Sequence, residues 1–307
     1  MRNSVIKTIM NYSKRNNKIF FITGDAGYGV LDKYKENFPD RFLNLGVAEQ
    51  NMISFASGLS LAGYKVFVYN IIPFVLYRCY EKVRNDIWYQ DLPVTLIGVG
   101  SGITYAPQGA THYSVEDIAL ARTLPNLIIL SPSDSVEAEK CAEFSLRCKS
   151  PVYIRIAKSG EPIIHKQGIK SISEPIIVNE GSEVGILFHG SIGSEVISAL
   201  KCLKRTPKVI SLPMLQPLNF DFLLSNLEGI HTLITVEEHF IEGGLGSIIE
   251  GWVVKNMLNF RVKKLGIKNE FIHAINNPAG MRNLYGISCN KIIRTVEKAF
   301  LNFTFKK

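Results

Sequence analysis

The stretch Phe38-Pro39-Asp40-Arg41-Phe42-Leu43-Asn44-Leu45-Gly46-Val47-Ala48-Glu49-Gln50-Asn51-Met52 changes its period partway along. Its first part, Phe42 to Leu45, is a strand-sized apolar run that stops at Gly46. From Glu49 to Ala62 the apolar positions recur at helical spacing, which places the Glu49 carboxylate in a first helical turn, where the helix dipole favours a negative charge. Between the two lie Gly46, Val47 and Ala48, small or apolar residues that permit a ligand to approach the backbone. By itself Glu49 has two readings, an ordinary helix-start charge or a site residue.

The same alternation runs outward in both directions. Ile19–Thr23, Phe42–Leu45, Val66–Tyr69, Val94–Val99, Leu127–Leu130 and Val152–Ile156 read as strands; Glu49–Ala62, Pro73–Tyr89, Val115–Thr123 and Ser135–Cys148 read as helices. Strands apolar on both faces, each followed by a helix, predict an α/β fold with a mostly parallel sheet covered by helices on both faces. The pattern lapses over residues 161–182 and restarts with Val184–His189, a helix from about Ser194, Lys208–Leu212, Thr232–Glu237, a helix from Gly246, and Phe271–Ala274. This predicts two domains of the same class, 1–160 and 183–307, joined by a linker.

Composition narrows the classes of function. The chain has 307 residues, 46% hydrophobic and 20% charged. Its mean hydropathy is +0.11, yet no apolar run approaches the roughly 20 residues of a membrane span. Lys and Arg number 35 against 27 Asp and Glu, a net +8, but they are scattered and lack interleaved aromatics, so a nucleic-acid partner is not indicated. The five cysteines (79, 141, 148, 202, 289) form no CxxC, and no signal peptide is indicated, which predicts free thiols in a reducing cytoplasm. The excess apolarity is expected to reside in doubly covered strands and in helices Glu49–Ala62 and Pro73–Tyr89, which would bury faces against another subunit.

Further segments carry chemistry: Gly109-Ala110-Thr111-His112, Leu124-Pro125-Asn126 with Ser131-Pro132-Ser133-Asp134, and Pro151-Val152-Tyr153-Ile154-Arg155. Later come Gly190-Ser191, Ser211-Leu212-Pro213 with Gln216-Pro217, and Val236-Glu237-Glu238-His239 with Gly243-Gly244-Leu245-Gly246. Together with Gly46-Val47-Ala48-Glu49-Gln50, and in this order, they resemble the thiamine-diphosphate enzymes of the transketolase group, from the pyrimidine-binding domain through the C-terminal domain.

That resemblance assigns roles. Glu49 would be the catalytic, cofactor-binding glutamate, hydrogen-bonded to the pyrimidine N1′ so that the cofactor's own amino group takes the thiazolium C2 proton; a poorly solvated setting suits that proton sharing. Phe74 would supply the aromatic platform for the pyrimidine, with Val75 in its place if the register shifts and plain core packing as the other reading. His112 would bind sugar hydroxyls or phosphate, Asp134 a hydroxyl, and Arg155 a terminal phosphate through its fork of donors; Asp134 also reads as a helix start. Asp25, at the end of the first strand, would face thiazolium and substrate. The remaining histidines read as structural, His239 as one that orients the second domain.

The family's diphosphate signature, Gly-Asp-Gly with a following Asn, is not matched: Gly24-Asp25-Ala26 with Asn51 departs from it at Ala26. The resemblance is therefore to the C-terminal subunit of a split transketolase. It implies a separate N-terminal subunit carrying the diphosphate and Mg²⁺ ligands, no metal ligands on this chain, self-association in a heterotetramer of two plus two, and activity only in the complex. The implied reaction moves a two-carbon ketol unit from a ketose phosphate to an aldose. The alternatives are a beta-type subunit of a decarboxylating enzyme, resembling deoxyxylulose-phosphate synthase or a 2-oxoacid dehydrogenase, and a non-catalytic regulatory half.

Overall fold

The computed structural model describes residues 1–158 and 160–304. In the first half, β1 (Ile19–Thr23), β2 (Phe42–Asn44), β3 (Lys65–Ile71), β4 (Val94–Val99), β5 (Ile128–Leu130) and β6 (Val152–Ile156) pair in parallel. The second half adds β7 (Ile176–Asn179), β8 (Glu183–Phe188), β9 (Lys208–Ser211), β10 (Met214–Gln216), β11 (Ile230–Phe240) and β12 (Arg261–Ile267). The two sheets have the orders β10-β5-β6-β4-β3-β1-β2 and β12-β11-β8-β9-β7. The fold is the expected two-domain α/β arrangement of mostly parallel sheets.

Strand alternation explains the layering. Val66 and Val68 of β3 pack with Met52, Ile53 and Ala56 of the Glu49–Leu61 helix. Phe67 and Tyr69, pointing the other way, pack with Val5 and Ile9 of the Arg2–Ser13 helix and Cys141 of the Ser135–Arg147 helix. β4 and β6 are buried along their whole length, as strands covered on both faces must be. Among the described residues no helix is long and apolar enough to cross a membrane.

Four features differ from the sequence reading. β7 lies within 161–182, so that stretch is not only linker: Ile176 and Ile177 pair antiparallel with Ser211 and Ile210. β7 is a short, half-buried edge strand, which leaves a weak apolar signal. β10 leaves its own domain and adds to the first sheet, Met214 pairing with Leu130, so the two domains share a sheet. Phe271–Ala274 is irregular; the last strand is Arg261–Ile267, an edge whose exposed Arg261 and Lys263 alternate with less exposed residues and mask it. Finally, Pro73–Tyr89 is broken into three pieces, two of them wide turns closed by Arg78 N–H to Pro73 O (3.0 Å) and Tyr89 N–H to Arg84 O (2.8 Å).

Candidate active site

Six parallel strands bring the loops that follow them to one sheet edge. The chain leaves β1 toward β2 but leaves β3 toward β4, so connections diverge between the neighbours β1 and β3 and open a crevice there. At its floor Asn70 Nδ2 donates to Gly24 O at 3.0 Å. A Cβ on Gly24 would stand 2.9 Å from Asn70 Nδ2 and 3.1 Å from Gly46 O, so Gly24 serves the close packing of two turns. Gly46 has φ +67 and open space where a side chain would be. The chain turns there and enters the helix at Glu49.

Glu49 is 5% exposed. Its Oε2 accepts a 2.8 Å hydrogen bond from Nη1 of Arg78, which the wide turn after Pro73 brings across. The Arg78 guanidinium lies 4.9 Å from the centre of the Phe74 ring. Phe74 meets His112 edge-on at 5.6 Å, and His112 meets Tyr105 at 5.9 Å. Lys158 Nζ stands 5.1 Å from the Tyr105 ring. Glu49, Phe74 and His112 are thus brought together, linked by Arg78 and extended by Tyr105 and Lys158. Phe74 is half-buried at this edge, whereas Val75 is fully buried in the core.

Arg155 and Asp134 lie at the carboxyl ends of β6 and β5 but are buried there and engaged within the protein. Arg155 is 2% exposed and forked onto Asp117, Nε to Oδ2 at 2.7 Å and Nη2 to Oδ1 at 3.1 Å. Tyr153 OH also donates to Asp117 Oδ2 at 2.7 Å. Burial opposes the Asp117 charge, but the Arg155 guanidinium, with the Tyr153 hydroxyl, outweighs it and holds the carboxyl below the ordinary range. Asp134 is fully buried: Oδ1 accepts from Val136 and Glu137 N–H, capping the Ser135–Arg147 helix, and Oδ2 from Ile164 and His165 N–H, fastening the interdomain segment. The side-chain donors and acceptors of both are engaged inside the protein. Asp25 sits exposed at the end of β1, bonded by the Tyr28 hydroxyl.

Sequence reasoning passed over Arg78, Tyr105 and Lys158 as site residues. Two signals were available: Arg78 follows Phe74 by four residues, so a helical stretch places them on one side, and Lys158 lies just past the carboxyl end of β6. His239 has an interdomain place. Its Nε2 accepts from Ala119 N–H at 3.3 Å while Nδ1 donates to Phe240 O at 2.7 Å. His189 shares a 2.8 Å hydrogen bond with Ser131 across the domains; burial, with the Arg155 charge, pushes its pKa down despite Glu237.

Comparison with known proteins agrees with this architecture. Residues 1–161 match the pyrimidine binding domain of transketolase, and residues 174–292 the transketolase C-terminal domain. The chain is 29% identical over 262 residues to one of the subunits of the apulose-4-phosphate transketolase of Actinobacillus succinogenes, covering 84% of each. It is 31% identical to the 1-deoxy-D-xylulose-5-phosphate synthase of Halothermothrix orenii, covering 95% of this chain but 47% of that protein. A solved structure described as a split gene transketolase, inactive beta4 tetramer, superposes with a TM-score of 0.88 at 28% identity, covering 97% of both chains. The chain belongs to the transketolase family, and it is built from that family's pyrimidine-binding and C-terminal domains.

Proposed function

We propose that this chain is the C-terminal subunit of a two-chain, thiamine-diphosphate-dependent transketolase that transfers a two-carbon ketol unit from a ketose phosphate to an aldose. The observation that carries the reading is the buried Glu49 carboxylate at a helix start, joined through Arg78 to the half-buried ring of Phe74. Relatives of similar length named as a transketolase subunit support the two-chain form.

The residues fit a pyrimidine ring: Glu49 offers a carboxylate shielded from water, Phe74 an aromatic face, and Gly46 bare backbone. When bound, thiamine diphosphate supplies the nucleophilic carbon for cleaving and forming the carbon–carbon bond. Glu49 holds a proton between its oxygen and a ring nitrogen, which low solvation strengthens. Arg78, with 47% of its side chain exposed, is the group that shares Glu49 with the ring. His112, edge-on to Phe74 in the loop after β4, bonds a substrate hydroxyl in this reading. Lys158 replaces Arg155 as the proposed cation for the anionic end of the substrate, because Lys158 is half-buried beside Tyr105 whereas Arg155 is buried against Asp117. The diphosphate and Mg²⁺ are assigned to the N-terminal partner subunit.

Apolar side chains left exposed before and along the helix that starts at Glu49 support docking there: Val47 is 77% exposed, Phe55 41% and Leu61 65%. A heterotetramer of two plus two would cover them. The five free thiols accord with a cytoplasmic setting. The test is coexpression with a partner subunit, with thiamine diphosphate and Mg²⁺, against a panel of ketose phosphates and aldoses. Ketol transfer supports the assignment. Release of carbon dioxide from pyruvate without ketol transfer would move it to the decarboxylating class represented by the Halothermothrix relative. Tight Mg²⁺-dependent cofactor binding by this chain alone would overturn the divided site.

A further inference from the structure

The loop that carries His112 belongs physically to the second domain. Its base is closed by two backbone hydrogen bonds, Gly102 N–H to Ser114 O at 2.8 Å and Ser114 N–H to Gly102 O at 3.0 Å. Ile103, Ala106 and Tyr113 within it pack in one apolar cluster with Phe188, Ile234 and Ile272 of the second domain rather than with the core of the first. At the base, a Cβ on Gly102 would stand 2.4 Å from Glu238 Cβ, and Phe240 N–H donates to Val115 O at 2.7 Å. Tyr113, one residue before Ser114, is buried and extends its hydroxyl to 2.6 Å from Ala274 O and 3.2 Å from Ala106 O. The hydroxyl has one proton, so the shorter contact, to the second domain, takes it. Ile275, next to Ala274, lies 3.6 Å from where a Gly109 Cβ would be.

We infer that the second domain positions the substrate-binding loop, with Tyr113 as the positioning residue that latches it to the Ala274 carbonyl. Closure of the base alone would leave the backbone from residue 103 to 112, His112 included, free to sample many orientations; fastening the loop to the second domain through the Tyr113 hydroxyl removes that freedom before substrate arrives. The catalytic consequence rests on reading His112 as a substrate ligand.

The test is Tyr113→Phe, which keeps the ring in its apolar cluster and removes only the hydroxyl. Amide hydrogen exchange across residues 103–113 of the full chain is measured first, including His112 N–H, which donates to Gly109 O at 3.0 Å. The expected result is exchange about tenfold faster in this loop, with Tm within about 4 °C of the parent. In the complex with its partner subunit, the acceptor KM then rises about tenfold while kcat stays within about twofold. Unchanged loop exchange overturns the latch. Faster exchange with an unchanged KM keeps the latch and removes His112 from substrate binding.

Discussion

Replacing Arg155 by Met distinguishes a structural ion pair from a substrate ligand. The change keeps most of the side-chain volume while deleting the guanidinium, so Asp117, fully buried, loses its 2.7 Å and 3.1 Å bonds and retains only the Tyr153 hydroxyl at 2.7 Å. Leaving one member of a buried pair uncompensated costs about 3–5 kcal/mol. At about 2–4 °C per kcal/mol this lowers Tm by about 6–20 °C. Scanning calorimetry on the chain checks the loss. The double variant Arg155→Met, Asp117→Asn should regain more than half of it, because the stranded charge is gone and Asn still accepts from Tyr153. A single variant with Tm within about 2 °C of the parent, together with a KM for phosphorylated donor raised about tenfold or more, would refute the argument. It would return Arg155 to the phosphate-binding role that the family resemblance implies.

Glu49→Gln should lower turnover with the partner subunit by about 100-fold or more while leaving Tm nearly unchanged, since general acid–base partners contribute on that scale; full activity would remove Glu49 from the mechanism. His165 gives a pH signature. Burial opposes its charge, but the 2.7 Å contact with Glu137 outweighs it and raises the histidine pKa. The folded protein therefore keeps a proton that the unfolded chain releases above about pH 6.5, so this contribution is full below that pH and is lost as pH rises through the folded value. A plot of Tm against pH should lose that alkaline-side decline in His165→Gln, and a superimposable plot counts against it. Gly102→Ala places a methyl 2.4 Å from Glu238 Cβ at φ +62. That should cost about 2–4 kcal/mol and speed exchange in the 103–113 loop; a stable, equally protected variant would show that the domain contact relaxes freely.

Glu49 illustrates what is legible in a linear chain. Its position depends on a strand that stops at a glycine and a helix that starts three residues later, both local events. Phe74 is partly legible: the residue types identify an aromatic beside the edge, but the wide turn after Pro73 decides that Phe74 faces His112 while Val75 enters the core. Arg155 and Asp134 mark the limit. Each has the residue type and strand-end position suited to a substrate, and each is instead held by groups 38 and about 30 residues away. Whether a charged side chain binds a ligand or a buried neighbour depends on partners that local spacing does not specify.

The sequence by itself determined the α/β class, the two-domain count, the order of the first six strands and the helix-start carboxylate, because periodicity, glycine stops and the helix dipole act over a few residues. Tertiary structure alone decided three things. β10 crosses to the first domain's sheet because β5 presents an unpaired edge. Arg155 closes on Asp117 because two charges removed from water require each other. The His112 loop docks on the second domain because its apolar residues find their burial there.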